Sequence, residues 1–212
     1  MSAVRIPKGF GIGYESTLAT CDEEVDLGPG THFLLARNGR GKTTLLKTLS
    51  GLLKPTEGAF VLEGNRQFIS DELTYDRELA ASHVFAAFLS GSIRKEAHAF
   101  AEELELDVAK PFGKLSFGNR KKVGLVVAEF SLIGDGTDVM FYDEPFTGLD
   151  TPAREALLKR WRESEERVLR VISCHPDLDE MSMPSAMLIS DGRIGRPGAG
   201  ATTWSELKKL LN

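Results

Sequence analysis

The sequence has little of what secreted, membrane-spanning or nucleic-acid-coating proteins need. Only two of its 212 residues are cysteine, Cys21 and Cys174, which excludes a disulfide framework and favours a reducing compartment. No apolar run reaches the roughly 18 residues of a membrane span, and no basic-then-apolar signal segment stands at the N-terminus. The formal net charge of -5 gives no general affinity for nucleic acid or anionic lipid. We therefore expect a cytoplasmic protein without a nucleic-acid partner.

What the sequence does contain suits one α/β domain with a full hydrophobic core. Apolar residues make up 42% of the chain and charged residues 27%, without an internal repeat, low-complexity run or flexible linker. Between Glu78 and about Leu104, apolar and alanine residues recur with helical spacing around a break at 90–92, which predicts an inserted helical lobe. The other predicted elements are strands at 31–35, 59–62, 67–70, 139–142, 167–173 and 186–190, and helices at 43–53 and 152–165, the second capped by Thr151.

A glycine-rich run from Ala36 to Thr44 is the most informative stretch of the chain. It fits the pattern in which backbone N–H groups curl around the phosphates of a nucleotide, with Ala36 in place of the first glycine. A predicted strand leads into the run and a predicted helix follows it, so the helix dipole points toward the phosphates. The residues expected to contact the nucleotide are Asn38, Gly39, Arg40, Gly41, Lys42, Thr43 and Thr44. Lys42 places a positive charge beside the β- and γ-phosphates, and the Thr43 hydroxyl is a candidate ligand of Mg²⁺.

Two adjacent carboxylates, Asp143 and Glu144, follow a predicted strand of large apolar residues. A rigid buried strand would hold Asp143 where it binds Mg²⁺, and Glu144 where it accepts a proton from a water molecule attacking the γ-phosphate. An acidic loop after a strand is common in soluble proteins. The phosphate loop upstream makes the catalytic interpretation the better one.

Three further motifs and a closing turn accompany the phosphate loop in a fixed order. They are 115–119 (Leu-Ser-Phe-Gly-Asn), 143–150 (Asp-Glu-Pro-Phe-Thr-Gly-Leu-Asp), 171–175 (Val-Ile-Ser-Cys-His) and 191–194 (Asp-Gly-Arg-Ile). Over residues 31–194 this order resembles the nucleotide-binding subunit of the ATP-binding cassette (ABC) ATPase family, as found in ABC transporters. The four segments are similar to the family's signature Leu-Ser-Gly-Gly-Gln, its Walker B motif with D-loop, its switch histidine and its closing turn.

The resemblance implies a fold of α/β class, with a single nucleotide-binding domain over residues 1–212. Its P-loop NTPase core, with a mostly parallel sheet, would comprise about 1–70 and 131–212. An inserted helical subdomain would occupy about 71–130. Because the place of the family's Gln loop comes soon after Lys42, we expect the small antiparallel β-subdomain to be truncated.

The resemblance also implies a mechanism, in which two cassettes close head to tail around two ATP molecules. On the signature side of this sandwich, the expected nucleotide contacts are Ser116, Gly118 and Asp150. Glu144 would be the general base and His175 would orient the γ-phosphate, so both join Lys42 as candidate catalytic residues. Hydrolysis of ATP would remove the bridge between the cassettes and let them part.

Further expectations concern adenine and the protein partners. In the family an aromatic residue stacks on adenine, and of the candidates Phe10 and Tyr14 we prefer Tyr14. The implied partners are a second nucleotide-binding subunit, identical or different, and a transmembrane permease that holds this chain at the inner face of the membrane.

The sequence departs from the family pattern at several positions. Asp71 stands where the family has the glutamine of its Gln loop, and its carboxylate is a candidate oxygen ligand of Mg²⁺. Phe117 and Asn119 replace a glycine and the glutamine of the signature, which leaves open an asymmetric pair with a partner that has a better signature. The basic run 120–122 is expected to form a solvated helix face.

Three functions fit these observations. The preferred one is the ATPase subunit of a membrane transporter, with the permease docked near Asp71 and the 78–104 lobe. The first alternative is a non-transport ABC ATPase acting as a soluble ATP-driven clamp, although such proteins often carry an extra lobe, a second cassette or a long coiled coil. The second alternative is a P-loop small-molecule kinase, which leaves the motifs at 115–118, 150 and 175 unexplained.

Overall fold

The computed structural model describes residues 3–132, 138–174, 181–197 and 203–211, which form eleven strands and six α-helices. The strands are β1 (Val4–Ile6), β2 (Gly11–Gly13), β3 (Thr17–Cys21), β4 (Val25–Leu27), β5 (Gly30–Ala36), β6 (Val61–Leu62), β7 (Asn65–Ile69), β8 (Asp138–Tyr142), β9 (Val168–Ser173), β10 (Ala186–Ser190) and β11 (Arg193–Gly195). The helices are α1 (Lys42–Ser50), α2 (Ala81–Phe88), α3 (Gly91–Glu103), α4 (Phe117–Phe130), α5 (Thr151–Glu163) and α6 (Trp204–Lys208). None of the helices in these ranges is long and apolar enough to cross a membrane.

The chain divides by its internal contacts into two compact units. The first comprises Met1–Phe68, Asp135–Glu144 and Ser164–Asn212, and the second comprises Ile69–Gly134 and Pro145–Glu163. The first unit contains the nucleotide-binding loop predicted from the sequence. The second contains the predicted signature.

An eight-stranded sheet, in the order β2-β3-β11-β10-β5-β9-β8-β7, forms the framework of the first unit. Its central strands β10, β5, β9 and β8 run parallel. Every residue of β8 and β9 is buried, as expected for apolar strands that are covered on both faces. The predicted α/β class with a mostly parallel sheet is confirmed.

A second, three-stranded antiparallel sheet joins β4, β1 and β6 in that order. Its strands are only two or three residues long. This confirms the small antiparallel subdomain. The predicted strand at 59–62 is shorter than expected, since only Val61 and Leu62 belong to β6.

Helix α1 ends at Ser50, earlier than the predicted end at residue 53. Gly51 adopts a left-handed conformation with φ 83°, which an l-residue with a side chain rarely adopts. The Gly51 N–H donates to the Thr48 carbonyl at 3.0 Å and the Leu52 N–H donates to the Lys47 carbonyl at 2.9 Å, which closes the helix in a Schellman motif. Leu52, predicted to lie on the buried face, is 66% exposed as a result.

The second unit consists mainly of helices α2 to α5, and its helical lobe begins later than predicted. Helix α2 starts at Ala81 instead of Glu78, and Leu79 lies outside it and is exposed. The predicted apolar stripe does form the packed face of α3, where Ala97, Phe100 and Ala101 are buried. The helical interpretation therefore holds for α2 and α3, with a corrected N-terminal boundary.

A buried carboxylate, Glu129 on α4, joins two helices of the second unit. The Trp161 indole N–H donates to its Oε1 at 2.7 Å, and the Arg160 guanidinium lies 3.7 Å from its Oε2. The same guanidinium stacks 3.8 Å from the centroid of the Phe130 ring. Glu129 is 1% exposed, so its charge depends on these partners for compensation.

Replacing Glu129 with alanine is therefore expected to lower the free energy of unfolding by about 3 kcal/mol, because it removes the acceptor of the buried Trp161 indole N–H and the carboxylate that faces the partly exposed Arg160 guanidinium. Urea denaturation of the full chain measures the loss. The matched control is Glu102→Ala on the exposed face of α3, for which we expect a change below about 0.5 kcal/mol. Equal losses in the two variants would contradict the role given to Glu129.

A histidine of β5, His32, is buried in the first unit with both ring nitrogens engaged. Its Nε2 lies 2.8 Å from the Gly28 carbonyl oxygen, which only accepts, so Nε2 carries the proton. Its Nδ1 lies 2.6 Å from Ser185 Oγ and accepts the hydroxyl proton. Burial, with a smaller contribution from the charge of Arg196, lowers the pKa of His32 below its ordinary value. The folded protein therefore holds this imidazole neutral.

Stability is expected to fall as the pH is lowered through about 6.5, the pKa of an unfolded histidine. The folded-state pKa lies below that value, so between the two the unfolded chain binds the extra proton and is favoured. Above about pH 6.5 the contribution of the neutral ring is fully present. Urea midpoints measured at a series of pH values should show a shallower acid loss in His32→Gln than in the unmodified chain. Parallel curves would show that another titrating group causes the loss of stability at low pH.

Candidate nucleotide site

The site lies at the carboxyl edge of the parallel sheet, where β5, β8 and β9 end. The strand register pairs Leu34 with Ser173 and Tyr142 with Ile172, so β8 and β9 end within one residue of each other and β5 extends two residues further. Ligands of open α/β sheets bind at this edge, because the loops that follow the strands converge there. The phosphate loop follows β5, and Asp143 and Glu144 follow β8.

Two glycines give the phosphate loop its shape. Gly39 has φ 74° and Gly41 has φ 105°, both in the left-handed region, and Gly41 caps the N-terminus of α1. A Cβ on Gly41 would lie 3.0 Å from Leu18 Cδ2. Both the close packing of Leu18 and the positive φ therefore favour glycine at this position. The loop encloses a cavity of about 310 Å³, lined by Asn38, Gly39, Gly41, Lys42, Thr43, Thr44 and Glu144. Of the loop residues predicted to hold the nucleotide, only Arg40 is missing from this lining.

Lys42 is 6% exposed, although it carries a charge. Its Nζ donates to the Ala36 carbonyl at 3.1 Å, and Asn38 Oδ1 lies 3.5 Å away. Burial lowers the pKa of Lys42, while the carboxylates of Glu144 and Asp143 act in the opposite direction. These contacts hold a cation at the wall of the cavity, where it would meet an anionic ligand.

Asp143, which follows β8, connects the start of α1 to the end of β9 through hydrogen bonds to its carboxylate. The Thr43 hydroxyl donates to Asp143 Oδ2 and the Ser173 hydroxyl donates to Asp143 Oδ1, both at 2.7 Å. Ser173 also accepts the backbone N–H of Glu144 at 2.8 Å. Glu144 has φ 51°, a conformation that is strained for a residue with a side chain and that recurs at functional sites.

These oxygens suit a magnesium ion. Mg²⁺ prefers hard oxygen ligands and is usually held by one or two carboxylates together with substrate phosphates. Thr43 Oγ1 and the Asp143 carboxylate are adjacent beside the cavity, and they fit that donor set. Within the described ranges no three His, Cys, Asp or Glu side chains cluster as an all-protein metal site.

The structure separates the two aromatic candidates for adenine. Phe10 is fully buried and packs edge-to-face on Phe60, with ring centroids 5.6 Å apart, which makes it a core residue. Tyr14 is 67% exposed, as a side chain that stacks on a ligand must be before binding. His175, the predicted switch histidine, lies outside the described residues.

The predicted signature begins helix α4 in the second unit. Ser116 is the N-cap of α4, and its Oγ accepts the Asn119 N–H at 3.3 Å, so the hydroxyl proton stays available for an anion. Gly118 packs against backbone, since a Cβ there would lie 2.3 Å from the Gly148 carbonyl oxygen. Close packing alone is therefore enough to require glycine at position 118.

Asp150 performs the capping that the sequence interpretation gave to Thr151. Its Oδ1 accepts the Ala153 N–H at 2.9 Å at the start of α5, and Thr151 is already the first helical residue. Its Oδ2 lies 3.0 Å from Lys122 Nζ. The Ala153 N–H and then Lys122 hold the pKa of Asp150 below its ordinary value. The prediction of Thr151 as the cap was wrong, because both residues can cap and backbone geometry decides between them.

The prediction of a solvated basic face at 120–122 is also wrong for two of its three residues. The side chains of Lys121 and Lys122 are only 7% and 4% exposed. Lys121 pairs with Asp71 at 2.8 Å, and Lys122 donates to the Leu104 carbonyl at 2.6 Å as well as pairing with Asp150. Asp71, a predicted magnesium ligand, is thus engaged by a lysine of α4.

Ser173 is a residue of the candidate site whose contacts sequence reasoning missed. The sequence interpretation of segment 171–175 gives a role to His175 and none to Ser173, although Ser173 bonds to both Asp143 and Glu144. A hydroxyl at the last position of a strand that neighbours β8 was the only signal in the sequence.

Comparisons with known proteins agree with the order of the motifs. The family described as "ABC transporter" matches residues 24–147, more than half of the chain. The chain is 28% identical over 194 residues to ABC transporter A family member 4 of Dictyostelium discoideum, covering 80% of this chain and 12% of that protein. It is 34% identical over 125 residues to the cytochrome c biogenesis ATP-binding export protein CcmA of Zymomonas mobilis, covering 58% of this chain and 55% of that protein.

The chain thus spans one eighth to about half of the length of these two relatives. Among solved structures, an ATP-binding subunit of an ABC transporter superposes with a TM-score of 0.74 over 99% of both chains, at 22% identity, which supports the fold. The resemblance expected from the motifs is confirmed: the chain belongs to the ABC transporter family and is an ABC ATPase nucleotide-binding domain.

Proposed function

We propose that this protein binds and hydrolyses ATP as one half of a two-cassette sandwich, and that the cycle drives a separate membrane permease. The observation that carries the proposal is the cavity of the phosphate loop, where Lys42, Thr43 and Glu144 line one space and Asp143 bonds to Thr43. A cation, a hydroxyl and two carboxylates at one sheet edge form the donor set that phosphoryl transfer requires.

In this proposal the phosphate loop binds the nucleotide through its backbone N–H groups and the positive end of α1. Lys42 neutralises the β- and γ-phosphates from the cavity wall. Thr43 and Asp143 would hold Mg²⁺, which supplies charge compensation for the phosphates when bound. Tyr14 would cover the adenine.

Glu144 is the proposed general base. Its carboxylate accepts the proton of a water molecule that attacks the γ-phosphate, so its position relative to the phosphates must be fixed. The bond from the Glu144 N–H to Ser173 holds the strained backbone of Glu144 in place. His175 would orient the γ-phosphate.

The second half of the site would come from another cassette. Ser116 is free to donate its hydroxyl proton, and it stands at the N-terminus of α4, where the helix dipole favours an anion. Together with Gly118 and Asp150 of its own chain, Ser116 would close over ATP held by the phosphate loop of the partner cassette. The partner is a second copy or a different cassette, and Mg²⁺ and ATP are needed in both cases.

We propose that the conformational change of the two cassettes is transmitted to a membrane permease. Relatives of this chain are named as ATP-binding components of import or export systems, including the taurine import protein TauB of Pseudomonas syringae and CcmA. The second unit exposes the large apolar side chains of Leu73, Leu79 and Phe88, which an apolar partner helix would cover. We place the protein in the cytoplasm, peripheral at the inner face of the membrane through this partner.

Replacing Glu144 with glutamine tests the proposed function. Loss of a general base costs about 10² to 10⁴ in rate while it leaves binding intact. We therefore expect the variant to release phosphate at least about a hundredfold more slowly and to accumulate as a dimer with ATP and Mg²⁺. Light scattering after size exclusion measures the dimer, and a phosphate-release assay measures the rate.

The matched control combines Glu144→Gln with Ser116→Ala. It removes the signature hydroxyl and should abolish the ATP-dependent dimer, while the affinity of the monomer for ATP is retained.

A pull-down from membranes with Glu144→Gln and ATP should retain a membrane subunit. Unchanged ATP turnover in Glu144→Gln would show that Glu144 is not the general base. Transfer of phosphate to an added metabolite would favour the kinase alternative.

Replacing Ser173 with alanine tests how Glu144 is positioned. The change removes the acceptor of the Glu144 N–H and a donor to Asp143, so the base is held less well. We expect kcat for ATP hydrolysis to fall about tenfold to a hundredfold, with a smaller change in KM. Ser190→Ala, at the end of strand β10, which β5 separates from β9, is the control and should keep kcat. A normal kcat in Ser173→Ala would show that Glu144 is held by other contacts.

A further inference from the structure

Lys121 contacts two side chains of different chemistry within the second unit. Its Nζ lies 2.8 Å from Asp71 Oδ1 and 5.3 Å from the centroid of the Phe117 ring. The lysine side chain is 7% exposed and that of Asp71 is 38% exposed. An ammonium group that is nearly withdrawn from water keeps its anionic and aromatic partners close, since both compensate its charge. Asp71 and Phe117 are therefore linked through one cation.

Phe117 continues this link to the signature. It is the first residue of α4 and directly follows the N-cap Ser116. Its ring packs on Gly148, where an added Cβ would lie 2.8 Å from Phe117 Cδ1. Beside it, Gly118 meets the Gly148 carbonyl oxygen so closely that no side chain fits. Although the Phe117 ring is half exposed, the backbone beside it is held tightly at Gly118. A shift of the Phe117 backbone is therefore passed to Ser116, the adjacent residue of the chain.

We propose that Asp71, Lys121 and Phe117 are positioning residues that fix the signature Ser116 relative to the segment around Asp71, the proposed docking place of the permease. The inference rests on the proposed function. Asp71 acts on α4 through Lys121, so movement of its segment reaches the signature through contacts that lie within the second unit. This differs from the magnesium role predicted from the sequence, since the carboxylate is directed at an ammonium group.

The chemistry of position 71 supports this assignment. A family glutamine is neutral and makes a weaker partner for a buried ammonium group than the carboxylate found here. The aromatic ring at 117, where the family has glycine, offers a π face that glycine lacks. The two departures from the family pattern thus meet at the same lysine.

The experiment uses the full chain with Glu144→Gln as parent and measures the dissociation constant of the ATP-dependent dimer by sedimentation. Asp71→Asn and Lys121→Met are each expected to weaken the dimer about tenfold. The double variant should be no weaker than either single variant, because both changes break the same link. Lys121→Arg, which keeps the positive charge and can stack on the Phe117 ring, should dimerise as tightly as the parent.

Two measurements separate positioning from simple loss of structure. The affinity of each monomer for a fluorescent ATP analogue should be unchanged, since the phosphate loop lies in the first unit. Arg120→Met is the matched control, because Arg120 is an exposed neighbour in the same basic run. If Lys121→Met fails to fold, Phe117→Leu provides a second test, since it removes the π face while it keeps apolar bulk, and we expect a similar tenfold loss.

Each outcome decides between the two proposals. A Glu144→Gln parent that binds ATP but never dimerises overturns the proposed function, and the positioning role falls with it. A parent that dimerises equally well in every variant overturns the positioning role alone. Additive losses in the double variant, or equal losses in Arg120→Met, would also overturn it.

Discussion

The carboxylate of Asp143 is the group on which the rest of the nucleotide site depends. It accepts one hydrogen bond from Thr43, at the start of α1, and one from Ser173, at the end of β9. Ser173 in turn holds the backbone N–H of Glu144. One side chain therefore sets the positions of a candidate metal ligand, a strand end and the candidate base. This arrangement requires β8 and β9 to end at the same level, and the parallel register of two fully buried strands provides that.

An anion site in a protein with a net charge of -5 has to be built locally. The phosphate loop does this with backbone N–H groups, the end of the α1 dipole and one buried cation. Burial favours the neutral form of Lys42, and the two carboxylates near it favour the charged form. The same carboxylates serve the proposed metal and the proposed base, so charge balance and chemistry use one set of groups. A γ-phosphate would enter a site whose charges are already held at fixed places by hydrogen bonds to Ala36 and Thr43.

Local sequence patterns predicted those parts of the fold that local physics determines. The strands leading to Ala36 and Tyr142 were found because a strand buried on both faces is continuously apolar. The end of α1 was missed because Gly51, and not the leucine spacing, stops the helix. The pairing of Lys121 and Lys122 was missed because their carboxylates, Asp71 and Asp150, are far away in the sequence. The role of Ser173 depends on strand register, which a single sequence does not contain. Motif order predicted the family, because the order of motifs is a property of the sequence itself.

The two consecutive lysines of α4 explain why a basic run can be buried. Neighbouring residues on a helix point about 100° apart, so Lys121 and Lys122 reach different segments of the second unit. Lys121 reaches Asp71 and the Phe117 ring, whereas Lys122 reaches the Leu104 carbonyl and Asp150, the cap of α5. The start of α4 is thereby held from two sides, close to the serine that is proposed to meet the partner's ATP. Because Asp71 and Phe117 both contact Lys121, the unusual residues at 71 and 117 are best understood as one linked change, in which an ion pair and a ring replace a neutral amide and a glycine.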